Sequence, residues 1–183
     1  MDYYNDPGQR PNNDTENLSI WTSAKFSLTP QDELMLQAVY SDYESGDVAQ
    51  YHNQANGSTT QRIDEDQKPL LFLGYHRTWH PDSHTLFLAS YFDDTFVRND
   101  PTTIVPVIDR DAAGNVTGVN PFTFDLNYQR KLRGFSAELQ QILKGERSTT
   151  IAGAHYQWAE VDTEATLNRR GTAFPPIFST PPA

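Results

Sequence analysis

Apolar and polar residues alternate with period two in six segments of this 183-residue chain. That pattern requires extended strands, because only a strand sends successive side chains to opposite faces. The segments run over about 18–29, 34–43, 69–80, 84–96, 130–144 and 149–161. In the first, Leu18, Ile20, Ala24, Phe26 and Leu28 share one face, and Ser19, Ser23, Lys25 and Ser27 the other. The second sets Leu34, Leu36, Ala38 and Tyr40 against Gln37 and Ser41, and the third Leu71, Leu73, Tyr75 and Trp79 against Gly74, His76 and Thr78. The fourth reads as Leu86, Leu88 and Phe92 against Thr85, Ala89, Tyr91 and Asp93. In the fifth, Phe135, Ala137, Leu139 and Leu143 oppose Ser136, Glu138, Gln140 and Lys144. In the sixth, Ala152, Ala154, Tyr156 and Trp158 oppose Thr149, Gly153, His155 and Gln157. No segment carries a convincing helical period, so the chain is expected to be all-β, an antiparallel meander of about six long strands.

The last pair predicts its own register. A two-residue loop at Glu146–Arg147 sets Leu139 opposite Ala154, Ala137 opposite Tyr156 and Phe135 opposite Trp158, while Glu138 falls opposite His155 and Gln140 opposite Gly153. Apolar meets apolar on one side and polar meets polar on the other.

Connections between the segments alternate in length. "PQDE", "PDS" and "GER" are short turns, whereas about 25 residues follow the second segment and about 30 follow the fourth. Unstructured connections of that size are uncommon in compact domains. Transmembrane β-barrels combine short turns at one rim, long loops at the other, and strands that are apolar outward and polar inward. Closure lets such a sheet satisfy every backbone group within a bilayer. Trp21, Trp79, Trp158, Tyr40 and Tyr156 fall at or towards segment ends, where aromatic girdles stand. The second long connection holds "DRDAAGNVTG", a candidate small hairpin around Ala-Gly-Asn. Residues 1–17 are expected to be a polar N-terminal loop, 18–162 a partial barrel domain, and 163–183 a polar, proline-rich tail.

The hairpin "AKFSLTPQDELMLQAVYSDYESGD", and the same layout in "LLFLGYHRTWHPDSHTLFLASYFDD" and "GFSAELQQILKGERSTTIAGAHYQW", resemble outer-membrane barrels of the TonB-dependent receptor type. The resemblance implies a barrel of about 22 strands around a plug, energised uptake of siderophores or other nutrients, and ligand contact by extracellular loops. It also implies that the partners are outer-membrane lipid, the remainder of the barrel with its plug, and a small-molecule ligand. The location implied is the bacterial outer membrane. The sequence departs from that family in lacking a plug domain, an energy-coupling box and a terminal strand ending in an aromatic residue. Six strands also fall short of the roughly eight that the smallest barrels need, so the expectation is an excerpt of a larger barrel. The alternative reading is a soluble antiparallel β-sandwich that binds carbohydrate.

Charge and composition exclude other classes. With 24 acidic and 14 basic residues the formal charge is −10, so a phosphate backbone is repelled and nucleic acid is not an expected partner. The chain has no cysteine, which removes disulfides, thiolate metal sites and cysteine nucleophiles. No apolar run approaches the roughly 20 residues of a transmembrane helix.

Several clusters invite a site. "GYHRTWHPDSH" holds His76, His80 and His84 at spacings of four, which on a helix would converge on zinc. Pro81 and the strand-like composition before it argue against that helix. On a strand His76 and His80 stand about 13 Å apart, and alignment of the third and fourth apolar faces turns His84 to the opposite side. Carboxylates at Asp64-Glu-Asp66, Asp93-Asp94 and Asp109-Arg-Asp111 lack the spacing of an EF-hand and read as solvated loop charge. Glu138 opposite His155 is a conceivable acid–base pair, explained more simply by a polar lumen. Asn13, Asn17, Asn56 and Asn115 each begin an Asn-x-Ser/Thr sequon, as a chain rich in these residues produces by chance. There is no nucleophile elbow or phosphate loop. The chain is therefore expected not to be an enzyme, with no catalytic residue, no cofactor and no metal.

Overall fold

A computed structural model describes residues 1–170 as a single antiparallel sheet. Seven strands follow one another in chain order: β1 (Asp2–Asp6), β2 (Thr15–Ser27), β3 (Asp32–Ser45), β4 (Arg62–His80), β5 (Ser83–Arg110), β6 (Val116–Lys144) and β7 (Thr149–Arg169). The only helical piece among the described residues is one 3₁₀ turn, Gln54–Asn56, whose first turn is capped by the Asn53 side chain. No helix among these residues is long and apolar enough to cross a membrane. The sheet remains open over the described residues, with β1 and β7 at its edges.

The β2–β3, β4–β5 and β6–β7 turns lie at one end of the sheet. At this end β2 and β3 are joined through Asp32, which takes a hydrogen bond from the Thr29 hydroxyl at 2.6 Å and from the Tyr75 hydroxyl at 2.5 Å. Pro81 and Asp82 join β4 to β5, and at the β6–β7 turn the Gly145 amide donates to the Ser148 carbonyl at 2.7 Å. The connections 7–14, 46–61 and 111–115 gather at the other end.

Two expectations about the elements change. Residues 97–126 are not a loop: they extend β5 and β6 into one hairpin, whose paired ribbon beyond Asp100 adds roughly 26 Å at 3.3 Å per residue. Pro101, Pro106 and Pro121 obscure the strand pattern there. On β5, Pro101 and Pro106 are tolerated because β4 pairs no further than Asn99, so the outward backbone positions there have no ladder to lose. The tip closes on Gly114, whose φ of +86° suits glycine. Strand β1 falls within the expected N-terminal loop, and β7 continues to Arg169 through residues expected to be tail. The proline-rich 171–183 lies outside the described residues.

Register determines what each face carries. In β6–β7 Leu139, Ala137 and Phe135 stand opposite Ala154, Tyr156 and Trp158, as the two-residue loop predicts. The β4–β5 hairpin differs from expectation. His80 pairs with Ser83 across Pro81–Asp82, but a bulge at Trp79 makes Thr78 pair with His84 and shifts everything beyond by one residue. Tyr75 therefore meets Phe87, Leu73 meets Ala89 and Leu71 meets Tyr91, while Leu86, Leu88 and Phe92 point to the other face. The period-two reading of segment four is reversed for this reason: with apolar residues at 86, 87 and 88 its own pattern is ambiguous, and the bulge decides. A second bulge, at Pro69, removes that residue from the ladder.

The outcome on one face is three successive rows. Phe26, Leu34, Tyr75, Phe87, Leu139 and Ala154 form the first, Ala24, Leu36, Leu73, Ala89, Ala137 and Tyr156 the second, and Thr22, Ala38, Leu71, Tyr91, Phe135 and Trp158 the third. Only Thr22 is polar in the chemical sense. One step higher stand Asp93, Arg133 and Glu160, and beyond them Asp42, Asp66, Lys131 and Asp162. One step lower stand Asp32, Arg77, Thr85 and Gln141. The opposite face mixes Lys25, Glu33, Gln37, His76, Ser90, Ser136 and Glu138 with Met35, Phe72, Leu88 and Phe92. Phe92 lies over Gly134, where its ring occupies the space an added Cβ would need. Among the described residues no hydrophobic side chain is buried, so the sheet has no core of its own.

The register can be tested by cross-linking, since directly opposed Cα atoms fall within disulfide range and the chain has no native cysteine. Leu73→Cys with Ala89→Cys is expected to oxidise readily, whereas Leu73→Cys with Ser90→Cys, the pair an unbulged hairpin would bring together, is not. Mass spectrometry of the oxidised peptides reads the difference, and readier linkage in the second double variant than in the first would refute the bulge.

Candidate functional site

Two polar constellations stand out, one at each end of the sheet. At the long-loop end Asp47 is fully buried and organises the loop 46–61. Its carboxylate accepts from the Ser58 amide at 2.6 Å, the Tyr51 hydroxyl at 2.9 Å and the Ala49 amide at 3.0 Å. Its carbonyl accepts from Arg10 at 2.6 Å and from the Asn13 side chain at 3.0 Å. Asn12, at φ +58°, donates to the carbonyls of Ser58 and Gln61, and Arg62 holds Asp14 through both carboxylate oxygens. Ser58 and Thr60 reach across to Asp100 and Thr102. Connections 8–14, 46–61 and the Asp100 region thus form one stitched cap. Residues 46–61 have no period in sequence because side-chain-to-backbone bonds order them, whereas 62–68, expected to belong to this connection, are the first part of β4.

Burial pushes the Asp47 carboxyl up, but the hydrogen bonds from Ser58, Tyr51 and Ala49, together with the Arg10 charge, outweigh it and hold the group below the usual carboxylate range.

At the short-turn end the three histidines separate. His80 belongs to the turn, paired with Ser83. His76 and His84 are brought together on the mixed face: His76 Nε2 is 3.1 Å from His84 Nδ1. This corrects the expectation that His84 points away, and the bulge at Trp79 is the cause. Trp79 itself leans over Arg77, 4.1 Å from guanidinium carbon to ring centre, and its indole N–H donates to Thr85 at 2.8 Å. Glu33 lies beside His76 Nδ1 at 3.3 Å and takes Lys25 at 2.9 Å. A shallow depression of about 440 Å³ opens here, lined by Lys25, Glu33, Met35, Gly74, His76 and Glu138 among others. Among the described residues no group of three or more metal-ligating side chains comes together.

The remaining candidates are spent on structure. Glu138 does stand opposite His155, yet it accepts a hydrogen bond from Gln140 Nε2. Asp64, Glu65 and Asp66 lie in β4 rather than in a loop, and Glu65 and Asp94 both face Arg130, at 3.5 and 3.1 Å. Asp93 faces Lys68 at 3.7 Å. Asp111 closes the β5–β6 tip, accepting from Asn115 and from the Ala113 amide, and the Asn115 bonds hold its carboxyl below the usual range. No protein family, curated protein or solved structure matches the chain.

Because the Asp47 carboxyl is lowered in the folded loop, its contribution is fully present above the ordinary value of about 3.9 and is lost as pH falls through the folded value. Hydrogen exchange of the Ala49 and Ser58 amides is therefore expected to accelerate below about pH 4. Asp47→Asn is expected to loosen the cap at neutral pH by about 1–3 kcal/mol. Unchanged protection in that variant would mean that Asp47 does not organise the loop.

Proposed function

We propose that this sheet is a sector of an outer-membrane β-barrel, with the three apolar rows facing lipid and the mixed face lining the lumen. The observation that carries this reading is the division of one face along the strand axis: the three rows are apolar apart from Thr22, and beyond them β5, β6 and β7 turn charged at the next position and β3 and β4 at Asp42 and Asp66, while β2 stays apolar through Ile20 and Leu18. The core of a soluble sandwich calls for an apolar interior but gives no reason for charge to follow it along the strand axis on five neighbouring strands, β3 to β7. A bilayer does. From Leu34 to Ala38 the three rows measure about 14 Å along β3 at 3.4 Å per residue, and about 20 Å with Tyr40 included, against the roughly 25 Å apolar belt of known barrels. Tyr91, Phe135 and Trp158 share its upper row and Tyr40 stands one step above Ala38, where an aromatic girdle belongs.

Within that class we favour a receptor or transporter of the TonB-dependent type. Met35, Phe72, Leu88 and Phe92 on the mixed face suit a lumen filled by protein better than a water-filled pore. The stitched cap and the long β5–β6 ribbon, at the end of the long connections, suit the capture of a ligand outside the membrane. The reaction is uptake, and no step of it needs a covalent catalyst.

The test uses single-tryptophan versions of the chain in bilayers containing brominated lipid. Trp158 on the apolar face is expected to be quenched strongly, and Trp21, one residue out of phase on the mixed face, much less. A chain that stays soluble and monomeric, with Trp158 buried and unaffected by lipid, would overturn the membrane reading in favour of a β-sandwich.

A further inference from the structure

The hydrogen-bond arithmetic of the histidine turn does not close. The Glu33 carboxylate only accepts, so the proton on His76 sits at Nδ1, 3.3 Å away. The Pro81 carbonyl likewise only accepts, so the proton on His84 sits at Nε2, 3.0 Å away. The two remaining nitrogens, His76 Nε2 and His84 Nδ1, then present lone pairs to each other across 3.1 Å. The 5.3 Å between ring centres is little more than this gap plus the two ring radii, so both nitrogens lie close to the line joining the rings. The Thr78 hydroxyl, 3.5 Å from one nitrogen and 3.4 Å from the other, has one hydrogen to offer and serves at most one of them. Two facing lone pairs repel unless a proton or a metal ion stands between them.

We propose that His76 and His84 form a two-imidazole site for a divalent first-row transition metal of the zinc, nickel or copper class. Imidazole nitrogen suits these ions. Bonds of about 2.0–2.1 Å from nitrogens 3.1 Å apart give an N–metal–N angle of about 100°, between the tetrahedral and square values. The ion stands about 1.3 Å to one side of the N···N line, reached by a modest rotation of each ring. Water completes the shell, and Thr78 is placed to hold one such water. Glu33 plays the part of the carboxylate that orients a ligating histidine through its far nitrogen, and Pro81 does the same for His84. His76 is about one-third exposed on the mixed face, so the site is open to ions from that side. His80, the third histidine of the stretch, is excluded because it pairs with Ser83 beyond the bulge.

The inference stands on local geometry and does not depend on the barrel reading. Its test is titration of the folded, detergent-solubilised chain with Zn²⁺, Ni²⁺ or Cu²⁺ alone, followed by calorimetry, and with Cu²⁺ by electron paramagnetic resonance for nitrogen hyperfine structure. One ion per chain is expected. Binding should be lost in His76→Ala and in His84→Ala, be weakened about tenfold or more in Glu33→Gln, and be unchanged in His80→Ala, with far-UV circular dichroism confirming the fold of each variant. Absence of binding to the folded wild type, equal binding by His84→Ala, or ¹⁵N spectra of the metal-saturated protein showing a proton still shared between the two rings would each overturn the site.

Discussion

The structure depends on the backbone ladder, because among the described residues no buried apolar core holds the strands together. Antiparallel pairing joins β1 to β7 without interruption apart from a few bulges, while no apolar side chain among the described residues is buried. In water such a sheet is poorly balanced. Burying a large apolar side chain contributes about 1.5–3 kcal/mol, and the three rows hold a dozen of them, so tens of kcal/mol await whatever covers that face. The conformational cost of ordering the strands is of similar size. The surroundings of the sheet are therefore part of its fold, and a lipid slab is the surrounding we propose for this face.

Much of this was legible in the sequence because period two is a strong signal where strands are half-covered. Five of the six segments carry their side chains on the faces their alternation assigns, and the β6–β7 register follows from Glu146 and Arg147 alone. The fourth segment failed for an identifiable reason. Residues 86, 87 and 88 are all apolar, so its face had to be borrowed from the neighbour, and the neighbour is joined through a bulge. A bulge is a property of the turn, here of Trp79 leaving the ladder to stack on Arg77, and no periodicity encodes it. The β5–β6 ribbon was concealed differently: prolines that would exclude a central strand are harmless on β5 beyond Asn99, where β4 no longer pairs with it.

The same bulge accounts for what was missed at the histidines. Distances along a strand correctly separate His76 from His80, but whether His84 joins His76 is a question of register across the turn, and one residue of slip decides it. The Asp47 cap was illegible for another reason. Its bonds tie Arg10, Asn12 and Asn13 to residues 34 or more positions away, so nothing local marks Asp47 as different from the other acidic residues around it. A polar loop looks unstructured in a sequence when long-range bonds of this kind join with local ones that follow no fixed period.

The two ends of the sheet consequently answer to different physics. At the long-loop end, the cap is a dense set of bonds to one buried carboxylate, a rigid arrangement because removing any donor leaves a charge unsatisfied. At the short-turn end, the histidine pair joins β4 to β5 through His76 Nε2 and His84 Nδ1, 3.1 Å apart. If the mixed face lines a lumen, an ion at His76 and His84 would stand beside the turns, far along the strands from the ligand-facing cap, with the apolar rows between them on the other side of the same strands. Coupling between the ends would then have to pass through register in β4 and β5. The bulges at Pro69 and Trp79 are the two places on β4 where that register already changes.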